Sequence, residues 1–119
     1  MNKIPCPTEA QEGAALAQWL DMRGILYCHV PNGGNRSAVT GASLKRQGAK
    51  KGVPDYLIFT QPPRQPCRHA IAIELKRRSG GTVGSDQRMW LEALEAHGWA
   101  TRVCKGAQEA INWLTELGY

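Results

Sequence analysis

Acid is scarce in this chain where base is plentiful. Between Asp21 and Glu74 the only carboxylate is Asp55, while Arg23, Arg36, Lys45, Arg46, Lys50, Lys51, Arg64 and Arg68 share that interval. With 15 basic and 10 acidic side chains the formal charge is +5. The excess is concentrated rather than spread, which selects a polyanionic partner. No apolar run approaches the ~20 residues of a membrane span, so no membrane partner is expected. Met1 to Pro5 lacks the hydrophobic region of a signal peptide, and a cytoplasmic location follows as an expectation. The four cysteines, Cys6, Cys28, Cys67 and Cys104, are widely spaced with no C-x-x-C. They read as reduced thiols rather than a zinc or disulfide framework, and Cys28 and Cys104, set in apolar runs, read as core. There is no G-x-x-x-x-G-K-[ST], which disfavours a nucleotide triphosphatase. Phe59 is the only Phe and no RNP-like pattern occurs, which argues against a stacking platform for RNA. No internal repeat is present, and 119 residues suit one domain spanning 1–119 with one modest core.

What is present centres on two isolated acids inside the basic field. Ile71-Ala72-Ile73-Glu74-Leu75-Lys76 alternates as a strand does, so Glu74 and Lys76 share one face and Ile71, Ile73 and Leu75 the other. Tyr56-Leu57-Ile58-Phe59 is a second strand candidate, and Pro54 before it suits a strand start. If the two runs pair, Asp55 approaches Glu74. Two carboxylates and the Leu75 carbonyl then form a hard oxygen site suited to Mg²⁺ or Mn²⁺, with the Lys76 ammonium beside a water in that site. Phosphodiester hydrolysis needs this set: charge neutralisation at the phosphate, an oriented water and a stabilised leaving oxygen. Lys76 can orient the water, bond the phosphate or act as base.

Around that centre the pattern gives an α/β order with a mixed sheet of about four strands flanked by helices. Thr8-x-x-Gln11 is a capping box that opens a helix with Leu16, Trp19 and Leu20 as its apolar stripe, ending before Gly24. Ile25 to Val30 reads as a strand closed by Pro31, and His29 at its end is a candidate for substrate contact. Pro31 to Gly52 holds no acid, and a helix fits within Ser37 to Gln47. Arg36, Lys45, Arg46, Lys50 and Lys51 are read there as phosphate contacts, with a solvated basic loop as the bland alternative. The proline-rich 61–66 turn joins the two site strands. Arg77 and Arg78 prolong the positive charge beyond Lys76, and Ser79 to Gly84 forms a glycine-rich loop. A helix from Gly84 or Ser85 to about His97 follows, with Gln87, Trp90, Leu91 and Leu94 on one face; Trp90 and Leu94 read as core. A strand over Trp99 to Cys104 and a helix over Gln108 to Leu117 complete the order.

Pro54-Asp55 followed by Glu74-Leu75-Lys76 resembles the signature of the PD-(D/E)XK nuclease superfamily. Gly52-Val53-Pro54-Asp55, Glu74-Leu75-Lys76-Arg77, the glycines after it and Gln87 with Trp90 resemble more narrowly its VRR-Nuc group, in the small stand-alone form of phages and bacteria. Pro31-Asn32-Gly33-Gly34 and Thr40-Gly41-Ala42 with Leu44-Lys45 are similar to that form too. The resemblance implies a PD-(D/E)XK fold and a Mg²⁺- or Mn²⁺-dependent DNA endonuclease, located in the cytoplasm of a bacterium or a phage-infected host cell. Asp55, Glu74 and Leu75 would hold metal. Lys76, Gln87 and Glu9 would complete the catalytic set, with Glu9 pointing into the cleft rather than only favouring the helix dipole. The resemblance also implies a homodimer that prefers branched DNA such as four-way junctions. Members often carry Gln near position 13, where this chain has Gly13. The alternative reading is a non-catalytic nucleic-acid-binding module on the same fold.

Overall fold

The computed structural model describes residues 5–31 and 37–119. Its elements follow in the order α1 (Glu9–Met22), β1 (Tyr27–His29), α2 (Ala38–Arg46), β2 (Tyr56–Ile58), β3 (Ile71–Lys76), α3 (Ser85–Ala96), β4 (Ala100–Lys105) and α4 (Ala107–Glu116). The sheet runs β1-β2-β3-β4, antiparallel for the first two pairings and parallel for β3 with β4. It is the mixed four-stranded sheet flanked by helices that the residue pattern predicts, a PD-(D/E)XK-like architecture.

The position of β3 explains the layering. Ile71, Ile73 and Leu75 meet Leu16 and Leu20 of α1 and Leu114 of α4 in one core, while Glu74 and Lys76 bond to Gln87 of α3 on the opposite face. A strand in a parallel pairing, covered on both faces, buries every residue, and Ile71 to Leu75 are all buried, Glu74 included. Thr8 caps α1 by the reciprocal bonds its sequence announced, Gln11 N–H to Thr8 Oγ1 at 3.1 Å and Thr8 N–H to Gln11 Oε1 at 2.9 Å.

Three sequence expectations need correction. The first strand is shorter than 25–30, because Ile25 N–H bonds back to the Leu20 carbonyl and Leu26 N–H to Thr60 Oγ1. Cys28 is exposed rather than core, since β1 is an edge strand whose outer residues have no helix over them; Cys104 is buried as expected. Trp90 and Leu94 are only half-buried, and no residue of α3 is fully buried. That helix covers the β3–β4 pair from one side and leaves its own flanks open.

Two glycines let separate segments close on one another. Gly106, at φ +89°, opens α4, and a Cβ there would lie 2.7 Å from Glu12 Oε2 and 2.9 Å from Arg78 Cγ. Glu12 is 2% exposed and accepts from Arg78 Nε at 2.8 Å, Arg78 Nη2 at 3.3 Å and Ala107 N–H at 3.4 Å. A buried carboxylate needs such partners, and this one ties α1 to the ends of β3 and β4. Gly52, at φ +84°, brings the Gly52-Val53-Pro54-Asp55 segment against the first turn of α3, where a Cβ would fall 2.6 Å from the Asp86 backbone. The site strands and the helix bearing Gln87 are thus locked together. Among the described residues no helix is long and apolar enough to cross a membrane.

Candidate active site

Asp55 stands one step beyond the start of β2. The ladder pairs Tyr56 with Ile73, so the next step sets Asp55 opposite Glu74. A bond from Leu75 N–H to Asp55 Oδ2 at 2.8 Å replaces the backbone pairing that ends there and fixes the carboxylate at the mouth of the sheet. The Asp55 carbonyl accepts from Val30 N–H at 2.7 Å and lies 2.9 Å from His29 Nδ1. The loop before β2 is therefore held on both sides.

Glu74 is 2% exposed. Its Oε1 accepts from Gln87 Nε2 at 2.8 Å and lies 3.4 Å from Lys76 Nζ. Gln87 Oε1 in turn accepts from Lys76 Nζ at 3.2 Å and from Gly84 N–H at 2.8 Å. Three of these contacts fix which end of the Gln87 amide is which, because the nitrogen faces a carboxylate and the oxygen faces two donors. Lys76 is consequently held beside Glu74 with 12% of its side chain exposed.

Glu74 Oε2, by contrast, is buried and accepts no hydrogen bond from the described residues. Burial and then the Asp55 charge push the Glu74 carboxyl up to about 7, against the opposing pull of Lys76. Burial raises Asp55 as well, with the Leu75 N–H acting to lower it. Two neighbouring carboxyls with a buried oxygen lacking a donor are costly as a doubly charged pair, and a proton or a cation between them relieves that cost. The residues fit a divalent cation on this ground. Among the described residues no group of three or more His, Cys, Asp or Glu side chains has a metal-binding arrangement. The two carboxylates that stand together there are Asp55 and Glu74, hard oxygen donors of the kind Mg²⁺ favours.

On the α1 side of Asp55 lies a cleft of about 430 Å³ that includes Glu9, His29 and Tyr56 in its lining. Asp55, Glu74, Leu75, Lys76 and Gln87 thus come together, and Glu9 lines the same cleft as Asp55. The basic residues are dispersed. Lys45 and Arg46 are exposed in the last turn of α2, Lys50 and Lys51 in the turn before Gly52, and Arg77 just past β3. The Arg78 guanidinium is engaged by Glu12, and that contact raises its pKa further. Arg36 lies outside the described residues. Glu12 and Tyr56 are additions to the sequence reading. Nothing in the sequence pairs Glu12 with Arg78 across 66 positions, and Tyr56 is read there only as a strand residue.

A family model described as the VRR-NUC domain matches residues 7–108. A solved structure described as a VRR_NUC domain protein superposes with a TM-score of 0.79 at 21% identity, over 97% of this chain and 91% of the other. At that identity the likeness bears on the fold. No curated protein matches the chain in sequence.

Proposed function

The chain belongs to the VRR-NUC domain family, and on that premise we propose that it is a Mg²⁺- or Mn²⁺-dependent endonuclease that hydrolyses DNA phosphodiesters. The observation that carries the reading is the buried, donorless Glu74 Oε2 beside Asp55, backed by a lysine that Gln87 holds in place. A purely structural acid pair would gain nothing from such an arrangement.

In this reading Asp55, Glu74 and the Leu75 carbonyl hold the cation. When bound, it neutralises phosphate charge and makes a water easier to deprotonate. Lys76, fixed by Gln87 and Glu74, directs its ammonium at the attacking water and the phosphate oxygens. Gln87 positions both Glu74 and Lys76, and Glu9 completes the acidic wall facing the cleft. Water oxygen bonds to phosphorus as the ester bond to the leaving oxygen breaks, giving one phosphomonoester and one hydroxyl end. Lys45, Arg46, Lys50, Lys51 and Arg77 bind the backbone of the substrate through charge; Arg36 joins them by sequence alone. Arg78 acts chiefly through Glu12.

The substrate is branched duplex DNA, four-way junctions above all, cut by a homodimer with one site for each of two strands. The support is the family resemblance together with the exposed Lys45, Arg46, Lys50, Lys51 and Arg77. A panel of linear duplex, flap, four-way junction, single-stranded DNA and RNA tests this, with mass measured by light scattering. Faster cutting of the junction by a dimer is expected. Equal rates on linear duplex, or a monomer that cuts one strand, would remove the branched preference while leaving the nuclease.

A further inference from the structure

The cleft beside Asp55 has features that phosphate chemistry does not use. Its floor is a stripe of small residues on one face of α1, Ala10, Gly13, Ala14 and Ala17. Its wall is aromatic: the His29 and Tyr56 rings lie 4.9 Å apart between centroids, tilted by 37°. Tyr56 is 4% exposed, lines the cleft, and its hydroxyl has no hydrogen-bond partner among the described residues. The ring is buried while the hydroxyl opens onto the cleft, where a ligand can reach it. The hydroxyl keeps its place only because position 13 has no side chain, since a Cβ on Gly13 would lie 2.5 Å from Tyr56 Oη. The missing side chain at Gly13 thus makes room for the hydroxyl at the edge of the cleft.

The charge of the cleft says what fits. Among the described residues no lysine or arginine lines it, whereas Glu9 and Asp55 do. A phosphate is therefore poorly received, whereas a neutral planar group with polar atoms on its edge suits an apolar floor, an aromatic wall and one hydroxyl. Resting on the nuclease reading above, we propose that this groove is a nucleobase subsite: it takes the base of one unpaired nucleotide next to the scissile phosphate, and the Tyr56 hydroxyl hydrogen-bonds the edge of that base. A paired base has its edge occupied and its faces stacked; an unpaired one has both free. The subsite would favour substrates that present a loose nucleotide beside the cut.

Equilibrium binding in EDTA tests this without cleavage. The probes are two duplexes of equal sequence with one bulged nucleotide, intact in one and abasic in the other. Wild type is expected to bind the intact bulge roughly three- to tenfold more tightly, the range one neutral hydrogen bond supplies. Tyr56→Phe, which removes only the oxygen, should bind both like the abasic probe. Ala14→Leu, which fills the groove from an exposed helix position, should do the same. Equal binding of the two probes by wild type, or an undiminished preference in Tyr56→Phe, would overturn the subsite and leave the nuclease reading intact. Failure of wild type to bind either duplex would instead remove the nucleic-acid reading on which it rests.

Discussion

Glu74→Gln is expected to stabilise the metal-free protein above pH 7 by on the order of 2 kcal/mol. The carboxyl is pushed up to about 7 in the fold, first by burial and then by Asp55, whereas an unfolded glutamate titrates near its ordinary value. The folded state therefore holds the proton more tightly than the unfolded state. The resulting stability is fully present below the ordinary carboxylate range and is lost as pH rises through about 7. Gln removes the charge that must otherwise be buried at high pH. Its carbonyl keeps the bond from Gln87 Nε2, and its amide supplies a donor where Glu74 Oε2 has none. Thermal melts in EDTA at pH 5 and pH 8 should show the variant above wild type by several degrees at pH 8 and the gap narrowing toward pH 5. Added Mn²⁺ should raise the melting temperature of wild type and not of the variant. A variant that melts below wild type at pH 8 would mean that Glu74 serves the scaffold as an anion.

Lys76→Met should cut the single-turnover cleavage rate by about a hundredfold or more while DNA affinity changes by a small factor. The ammonium is fixed by Gln87 Oε1 and Glu74 Oε1 and does not depend on substrate for its position, so it acts on the reacting centre rather than as one more backbone contact. Met keeps the unbranched stem that packs near Gly81. Its loss of the charge also removes the pull that lowers Glu74, which should move the pH dependence of cation binding upward. Single-turnover rates beside equilibrium binding separate the two roles. Parallel losses in rate and affinity would make Lys76 a binding residue.

The site strands were legible because chemistry and period coincide there. Alternation in 71–76 sets Glu74 and Lys76 on one face, and the α3 stripe brings Gln87 to that face. The fourth strand and the last helix follow from apolar period alone, with ends shifted by a residue or so. Burial was less legible than element type. Cys28 lies in an apolar run, yet it stands on an exposed edge strand; Trp90 and Leu94 lie on an apolar face, yet α3 packs on the β3–β4 pair from one side and leaves its flanks open. The contacts of longest range left no local trace. Glu12 with Arg78 and Gly13 with Tyr56 are each ordinary alone, and only the packing of α1 on the sheet joins them. The missing side chain at Gly13 reads in sequence as a departure from a family habit, whereas in the fold it is the space that admits the Tyr56 hydroxyl.

Strand cleavage of a four-way junction by wild type and Glu74→Ala, each with Mg²⁺, Mn²⁺ or EDTA, tests the central claim most directly. Cuts by wild type that require the cation and disappear in Glu74→Ala, with the variant still folded and binding DNA, are the predicted result. Tight DNA binding by wild type with no cut under either metal would contradict the claim and leave a nucleic-acid-binding module on a nuclease fold.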